Sequence, residues 1–130
     1  MKGQAPQARS PVSSPGTHPG GLKDVVVNSR NITLSIWDHG KEDNDIVTIK
    51  VNGAPIPGGS NVVLTKQPKT FQLQLNTGRN EISIYAVNEG TQPPNTASFK
   101  LSNVTQGEQE QKYRINQNES AAFGATVVIQ

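Results

Sequence analysis

The sequence predicts an all-β protein, and three observations carry this prediction. Apolar and polar residues alternate with a period of two along most of the chain after residue 21, which places one face of each strand in a core and the other in water. Turn-forming Gly, Pro and Asn residues separate these segments every ~8–12 residues. No stretch keeps the helical period of about 3.6 residues. We therefore expect an immunoglobulin-like or C2-like antiparallel β-sandwich of about seven to nine strands.

The first 21 residues differ from the rest in composition. They hold four of the nine prolines, and Val12 is their one bulky aliphatic residue. Such a segment buries too little apolar surface to offset the loss of chain entropy on ordering. We expect a disordered tail or linker over 1–21, or an arm that orders against a neighbouring subunit. One sandwich domain follows over 22–130, in keeping with the length of the chain.

The strands follow from the apolar positions in chain order. Strong strands are expected around Ile32, Leu34 and Ile36; Val47, Ile49 and Val51; Phe71, Leu73 and Leu75; Ile82, Ile84 and Ala86; Ala97, Phe99 and Leu101; and Phe123, Ala125, Val127 and Ile129. Weaker strands are expected at 22–28, 61–65 and 111–116.

Strand counting then places the loops. If successive strands alternate in direction, one end of the sandwich carries loops 38–45, 66–69, 88–95 and 117–121, and the other carries loops 53–60, 77–80 and 103–110. The first end is where we expect a site, because it joins an acidic loop to an Asn-containing loop.

The acidic loop is the strongest local feature of the sequence. It holds four of the ten acidic residues of the chain, Asp38, Glu42, Asp43 and Asp45. Carboxylates on a flexible loop are ligands that calcium prefers, and Asn88 and Asn95 would add amide oxygens from the adjacent loop. The alternative is a solvated loop whose Asp and Asn side chains cap their own backbone.

Two aromatic residues and one apolar run are candidate contact points. Trp37, the single tryptophan, and Tyr85 alternate out of phase with the core, so they could form a small aromatic patch for a sugar ring or a partner. The alternative places Trp37 at the rim of the core. The β-prone run Val25–Val27 either completes its own sandwich or donates a strand to a neighbouring chain.

Several classes of function find no support in the composition. The chain has no cysteine, which excludes disulfides and thiolate chemistry. No nucleophile or phosphate-binding motif is present, and we expect no catalysis. A net charge of +2 with scattered basic residues does not favour nucleic acid. No apolar run approaches the ~20 residues that span a membrane, and no signal peptide follows Met1.

Two blocks of the sequence carry a family resemblance. The first contains Trp37-Asp38-His39-Gly40, Asp43-Asn44-Asp45 and Asn52-Gly53, and the second contains Ala86-Val87-Asn88-Glu89-Gly90 and Pro93-Pro94-Asn95-Thr96-Ala97. Together they resemble small bacterial surface β-sandwich modules with W-D-x-G…D-x-D and P-P-N-T-A segments, although Asn44 stands where those modules often have glycine. The resemblance covers 31–130 and implies an exported or surface-associated immunoglobulin-like module without catalytic residues.

These observations favour a non-catalytic structural or interaction module of an extracellular surface, a fibre or a virion-like particle. It would act through its sheet edges, the 38–45/88–95 loop end and the N-terminal arm, with a protein partner or a second copy of itself. The alternative is a calcium-dependent module that binds carbohydrate or another ligand.

Overall fold

The computed structural model describes residues 22–39, 45–88, 95–107 and 110–129, and the predicted tail over 1–21 lies outside them. The strands are β1 (Val25–Val27), β2 (Asn31–Trp37), β3 (Ile46–Val51), β4 (Ala54–Pro55), β5 (Val62–Val63), β6 (Lys69–Gln74), β7 (Gly78–Ala86), β8 (Asn95–Leu101), β9 (Gln111–Ile115) and β10 (Ser120–Val127). No helix in the described part of the chain is long and apolar enough to cross a membrane.

The strands form two sheets. The first sheet has the order β1-β10-β7-β3-β4, and β5 also pairs with β3. The second sheet has the order β6-β2-β8-β9. All pairings are antiparallel except that of β1 with β10, which is parallel. The predicted all-β sandwich is confirmed, and its immunoglobulin-like or C2-like type stays a prediction.

The core lies between the inner faces that the alternation selects. In β2 the three isoleucine and leucine side chains are at most 1% exposed, while the residues between them are half-buried. Phe99 of β8 and Phe123 of β10 stack with ring centroids 5.2 Å apart. These two rings come from different sheets, so their contact joins the sandwich through its centre.

The segment between β3 and β6 differs from the prediction. Asn52 and Gly53 both have positive φ, 52° and 88°, as a tight two-residue hairpin turn requires. The chain then turns back along β3, where the Ile56 N–H donates to the Ile49 carbonyl at 3.1 Å. Residues 56–59 therefore lie beside the sheet and not at its far end. The two-residue strand β4 was not expected and brings the total to ten, above the expected range, while β5 keeps two residues of the strand expected at 61–65.

The Val25–Val27 run completes the sheet of its own chain. It pairs in register with Ala125–Val127, and Val27 is fully buried while Val26 is 42% exposed. A role of this run in joining other chains stays a prediction.

Candidate functional site

Four connections meet at one end of the sandwich, which we name the loop end: β2–β3, β5–β6, β7–β8 and β9–β10. The N–H of Asp38 donates to the Thr65 carbonyl at 2.8 Å, and the N–H of Asn118 donates to the Ala86 carbonyl at 2.9 Å. The predicted grouping of loops at this end is confirmed for their described residues.

Asp38 and Asp45 lie inside the loop end, with exposed fractions of 2% and 1%. The Asp45 carboxylate accepts a hydrogen bond from the Thr96 N–H at 3.2 Å. The backbone carbonyl of Asp45 accepts another hydrogen bond, from the Leu64 N–H at 2.8 Å. These bonds connect the start of β3 to the start of β8 in the other sheet and to the segment after β5. Asp45 therefore has a structural position at the junction of both sheets.

Asn88 and Asn95 connect the same elements. The side-chain oxygen of Asn88 accepts a hydrogen bond from the Ile46 N–H at 2.8 Å, and its carbonyl accepts one from the Asn95 amide at 2.9 Å. Asn95 is fully buried, and its Oδ1 accepts a hydrogen bond from the Tyr113 hydroxyl at 3.3 Å. Both amide oxygens thus bind groups of the chain itself, and the predicted contact of these asparagines with a partner stays a prediction.

Tyr113 is the centre of this arrangement, although the sequence analysis placed it only in a weak strand. Burial raises the pKa of its hydroxyl far above the ordinary value, and the negative charges of Asp45 and Asp38 raise the pKa further. The Tyr113 hydroxyl donates to Asn95, and the N–H of the next residue, Thr96, donates to the Asp45 carboxylate, so these groups lie close together. We name Asp38, Asp45, Asn95 and Tyr113 the buried polar cluster.

The predicted calcium ligands are placed in part. Asp38 and Asp45 belong to the buried polar cluster, whereas Glu42 and Asp43 lie outside the described residues. Within the ranges that the structure describes, no three His, Asp or Glu side chains are grouped so that they could hold a metal ion.

The expected aromatic patch of Trp37 and Tyr85 is wrong. Trp37 lies on the outer face of the second sheet, and Tyr85 lies on the outer face of the first, so the whole sandwich separates them. Lys100 Nζ lies 6.0 Å from the Trp37 ring centroid, and Lys50 Nζ lies 5.5 Å from the Tyr85 ring centroid. Alternation shows that a side chain lies on the outer face of its strand, but it does not show to which sheet the strand belongs. The sequence therefore could not show that Trp37 and Tyr85 lie on opposite sides of the sandwich.

Asn80 is a structural residue that the sequence analysis read only as part of a turn. It is 1% exposed, and its Oδ1 accepts hydrogen bonds from the Asn76 N–H at 2.9 Å and from the Asn52 amide at 3.0 Å. Its amide also donates to the Ala125 carbonyl at 3.3 Å. Asn80 lies two residues before the buried Ile82 in β7, so alternation places both side chains on the inner face. This spacing was the signal that could have identified Asn80 as a buried residue.

The edges of the sheets form the second candidate region, and those of the first sheet are short or covered. On the outer side of β1, the Thr105 N–H donates to the Val26 carbonyl at 2.9 Å, and Val27 forms a bridge with Val104. At the opposite edge, β4 has two residues, one of them Pro55, and β5 also has two. Neither edge offers a long row of unpaired backbone groups.

The β9 edge of the second sheet carries charge. The N–H of Ser102 donates to the Thr33 carbonyl at 3.0 Å, which fixes the phase of the β2–β8 hydrogen bonds. Antiparallel strands alternate hydrogen-bonded and non-hydrogen-bonded pairs. From the β8–β9 register, the backbone N–H and C=O groups of Lys112 and Arg114 therefore point away from β8, toward the side of β9 that has no neighbouring strand. Both side chains are exposed cations, the usual means by which proteins discourage pairing at an edge.

The β6 edge lacks such charges. The N–H of Leu75 donates to the Arg30 carbonyl at 2.8 Å. In the β2–β6 register every second pair is therefore hydrogen-bonded, which points the backbone groups of Phe71 and Leu73 toward β2. The backbone N–H and C=O groups of Thr70, Gln72 and Gln74 therefore face the free side. Their side chains are exposed and uncharged. The β6 edge thus offers a regular row of backbone donors and acceptors without charge or proline from Thr70 to Gln74.

Comparisons with known proteins add no relative. No family model, no curated protein and no solved structure matches the chain significantly. The resemblance to bacterial surface modules therefore stays a prediction.

Proposed function

We propose that this chain is a non-catalytic structural and interaction module that joins other chains by accepting an extended strand at the β6 edge. One observation carries the proposal. Of the two edges with five or more residues, β9 has Lys112 and Arg114 at its edge-facing positions, while β6 has Thr70, Gln72 and Gln74. Proteins commonly protect free edges with charge. The β6 edge is uncharged while the opposite edge of the same sheet is charged, and this difference favours pairing at β6.

Strand addition at this edge has a simple physical basis. Backbone hydrogen bonds supply affinity, and the side chains that alternate along the added strand supply selectivity. Phe71 is half-buried and lines a groove with Val62 and Val63 between the edges of the two sheets. An added strand would place its apolar side chains against this groove. The resemblance to surface modules supports an extracellular or particle setting for such an assembly.

A neutral peptide tests the proposal. We expect an alternating threonine–valine hexapeptide, added to dilute isotope-labelled protein, to shift the amide NMR signals of Thr70, Gln72 and Gln74. The free edge of β9 is the internal control, and the signals of Lys112 and Arg114 should not move. Unchanged β6 signals, or equal shifts at both edges, would contradict strand acceptance at β6.

A calcium-dependent module that binds carbohydrate remains the second proposal, and one observation favours it. Asp38 and Asp45 are both buried, so two carboxyl groups are held at the loop end away from water. A divalent cation bound there would favour the ionised form of both groups. In this proposal Glu42 and Asp43 complete the ligand set, and Trp37 or Tyr85 stacks on a sugar.

Thermal unfolding tests the calcium proposal. We expect calcium to raise the melting temperature relative to EDTA, because a ligand that binds the folded state stabilises it. The double variant Asp43→Asn with Glu42→Gln should abolish this increase. Glu119→Gln, at an exposed acidic residue, serves as the matched control and should keep it. Equal melting temperatures of the wild-type chain in calcium and EDTA would exclude this function.

A further inference from the structure

We infer that the strand accepted at β6 is β6 of a second copy, paired antiparallel about a two-fold axis centred on Gln72. This inference rests on the proposed function and names the partner. In this register Gln72 lies opposite Gln72 of the second copy, and Thr70 lies opposite its Gln74. The two second sheets would then join into one continuous sheet.

The hydrogen-bond phase of β6 permits this register. Thr70, Gln72 and Gln74 already turn their backbone groups to the free side, as the β2–β6 pairing requires. All three therefore form hydrogen-bonded pairs in the two-fold arrangement, with about six new backbone hydrogen bonds. A register shifted by one residue would place edge-facing groups opposite groups that are turned inward.

The side chains are self-complementary in the same register. On the inner face, half-buried Phe71 lies opposite buried Leu73 of the second copy in a closely spaced non-hydrogen-bonded pair. On the outer face, uncharged polar residues meet each other. Gln72 is already oriented there, because its Oε1 accepts a hydrogen bond from the Thr33 hydroxyl at 3.3 Å. Each face of one strand thus meets side chains of its own kind.

The charges of the two copies lie outside the three central pairs. The single charged residue of β6, Lys69, lies at its first position, so the two-fold axis sends the two lysines to opposite ends of the pair. Lys69 also binds the Val63 carbonyl of its own chain. The outer-face cations Lys100, Lys112 and Arg114 lie on β8 and β9, on the far side of β2. Arg30, whose Nε donates to the Leu75 carbonyl at 3.0 Å, lies near Lys69 of the second copy at each end, so no like charges face each other across the three central pairs.

The association state is the first test. We expect light scattering to give twice the 13.9 kDa mass of one chain at high concentration. Gln72→Pro removes an outward N–H that makes no bond within the sheet, and it should restore the single-chain mass. Lys112→Pro makes the same change at the β9 edge and should leave the mass doubled. If Gln72→Pro does not fold, Gln72→Lys places a charge at the axis and should have the same effect.

Single-cysteine variants test the register, since the chain has no cysteine of its own. In a hydrogen-bonded pair the two Cα atoms at position 72 lie about 5.5 Å apart, within the range of a disulfide. Gln72→Cys should form a covalent dimer on mild oxidation. Thr70→Cys is the matched control, because the two copies of position 70 lie about 14 Å apart and should stay unlinked.

The outcomes separate this inference from the proposed function. Cross-linking at position 70 without cross-linking at 72 would overturn the two-fold register. A chain that stays monomeric but binds the threonine–valine peptide at β6 would overturn the second copy as partner and leave strand acceptance standing. A monomer that binds no peptide would overturn both.

Discussion

Replacing Asn95 with leucine is expected to lower the free energy of unfolding by about 2–4 kcal/mol. The leucine fills a similar volume but removes every hydrogen bond of the amide. The buried Tyr113 hydroxyl would lose its acceptor at 3.3 Å, and the hydrogen bond from the amide to the half-buried Asn88 carbonyl at 2.9 Å would also be lost. A buried polar group without its partner costs roughly 1–3 kcal/mol.

Asn31→Leu provides the matched control for this prediction. Asn31 is likewise the first residue of a strand in the second sheet, but it is exposed. A surface substitution of this kind should change stability by less than about 0.5 kcal/mol. Urea denaturation of both variants measures the difference. A loss below about 1 kcal/mol for Asn95→Leu would contradict the role of the amide as a connector of the loop end.

The strands were the most predictable part of the molecule. Alternation identified the inward residues of β2 and β7 because burial on one face is a local property of a strand with period two. The parallel pairing of β1 with β10 was not predictable in this way, since it joins residues about one hundred positions apart. The two-residue strand β5 was expected as a longer element, because its apolar residues stand in the sequence without signs of how short the pairing is.

The candidate site was predictable in its location but not in its chemistry. Strand counting placed the Asp38 and Asn95 loops at one end, and the structure confirms that placement for the described residues. Strand counting could not show that the Asn95 side chain points inward, because an asparagine before a strand is typical of a turn. The uncharged edge of β6 was also invisible, because a sequence does not tell which strands lack a second neighbour. The residue pattern of Thr70–Gln74 gains its meaning only from the strand order.

The second large effect is expected in alkaline solution and depends on Tyr113. Burial first, and then the charges of Asp45 and Asp38, hold its pKa in the folded chain well above the ordinary 10.0. Above about pH 10, the ordinary pKa, Tyr113 loses its phenolic proton in the unfolded chain but keeps it in the folded chain. The folded state then binds more protons, so stability is retained below pH 10 and falls as the pH rises further. The expected slope is about 1.4 kcal/mol for each pH unit.

Tyr113→Phe isolates this contribution, because phenylalanine keeps the ring and has no proton to lose. Its free energy of unfolding should fall less steeply than that of the wild-type chain between about pH 10 and about pH 11, although the variant begins lower after losing the hydrogen bond to Asn95. Tyr85→Phe removes the other tyrosine hydroxyl, which donates to Asn118 at 2.7 Å on the half-exposed outer face. It should keep the steep wild-type slope. Parallel slopes for the wild-type chain and Tyr113→Phe would mean that Tyr113 ionises in the folded state as readily as in the unfolded state, and the buried polar cluster would then have to be open to water.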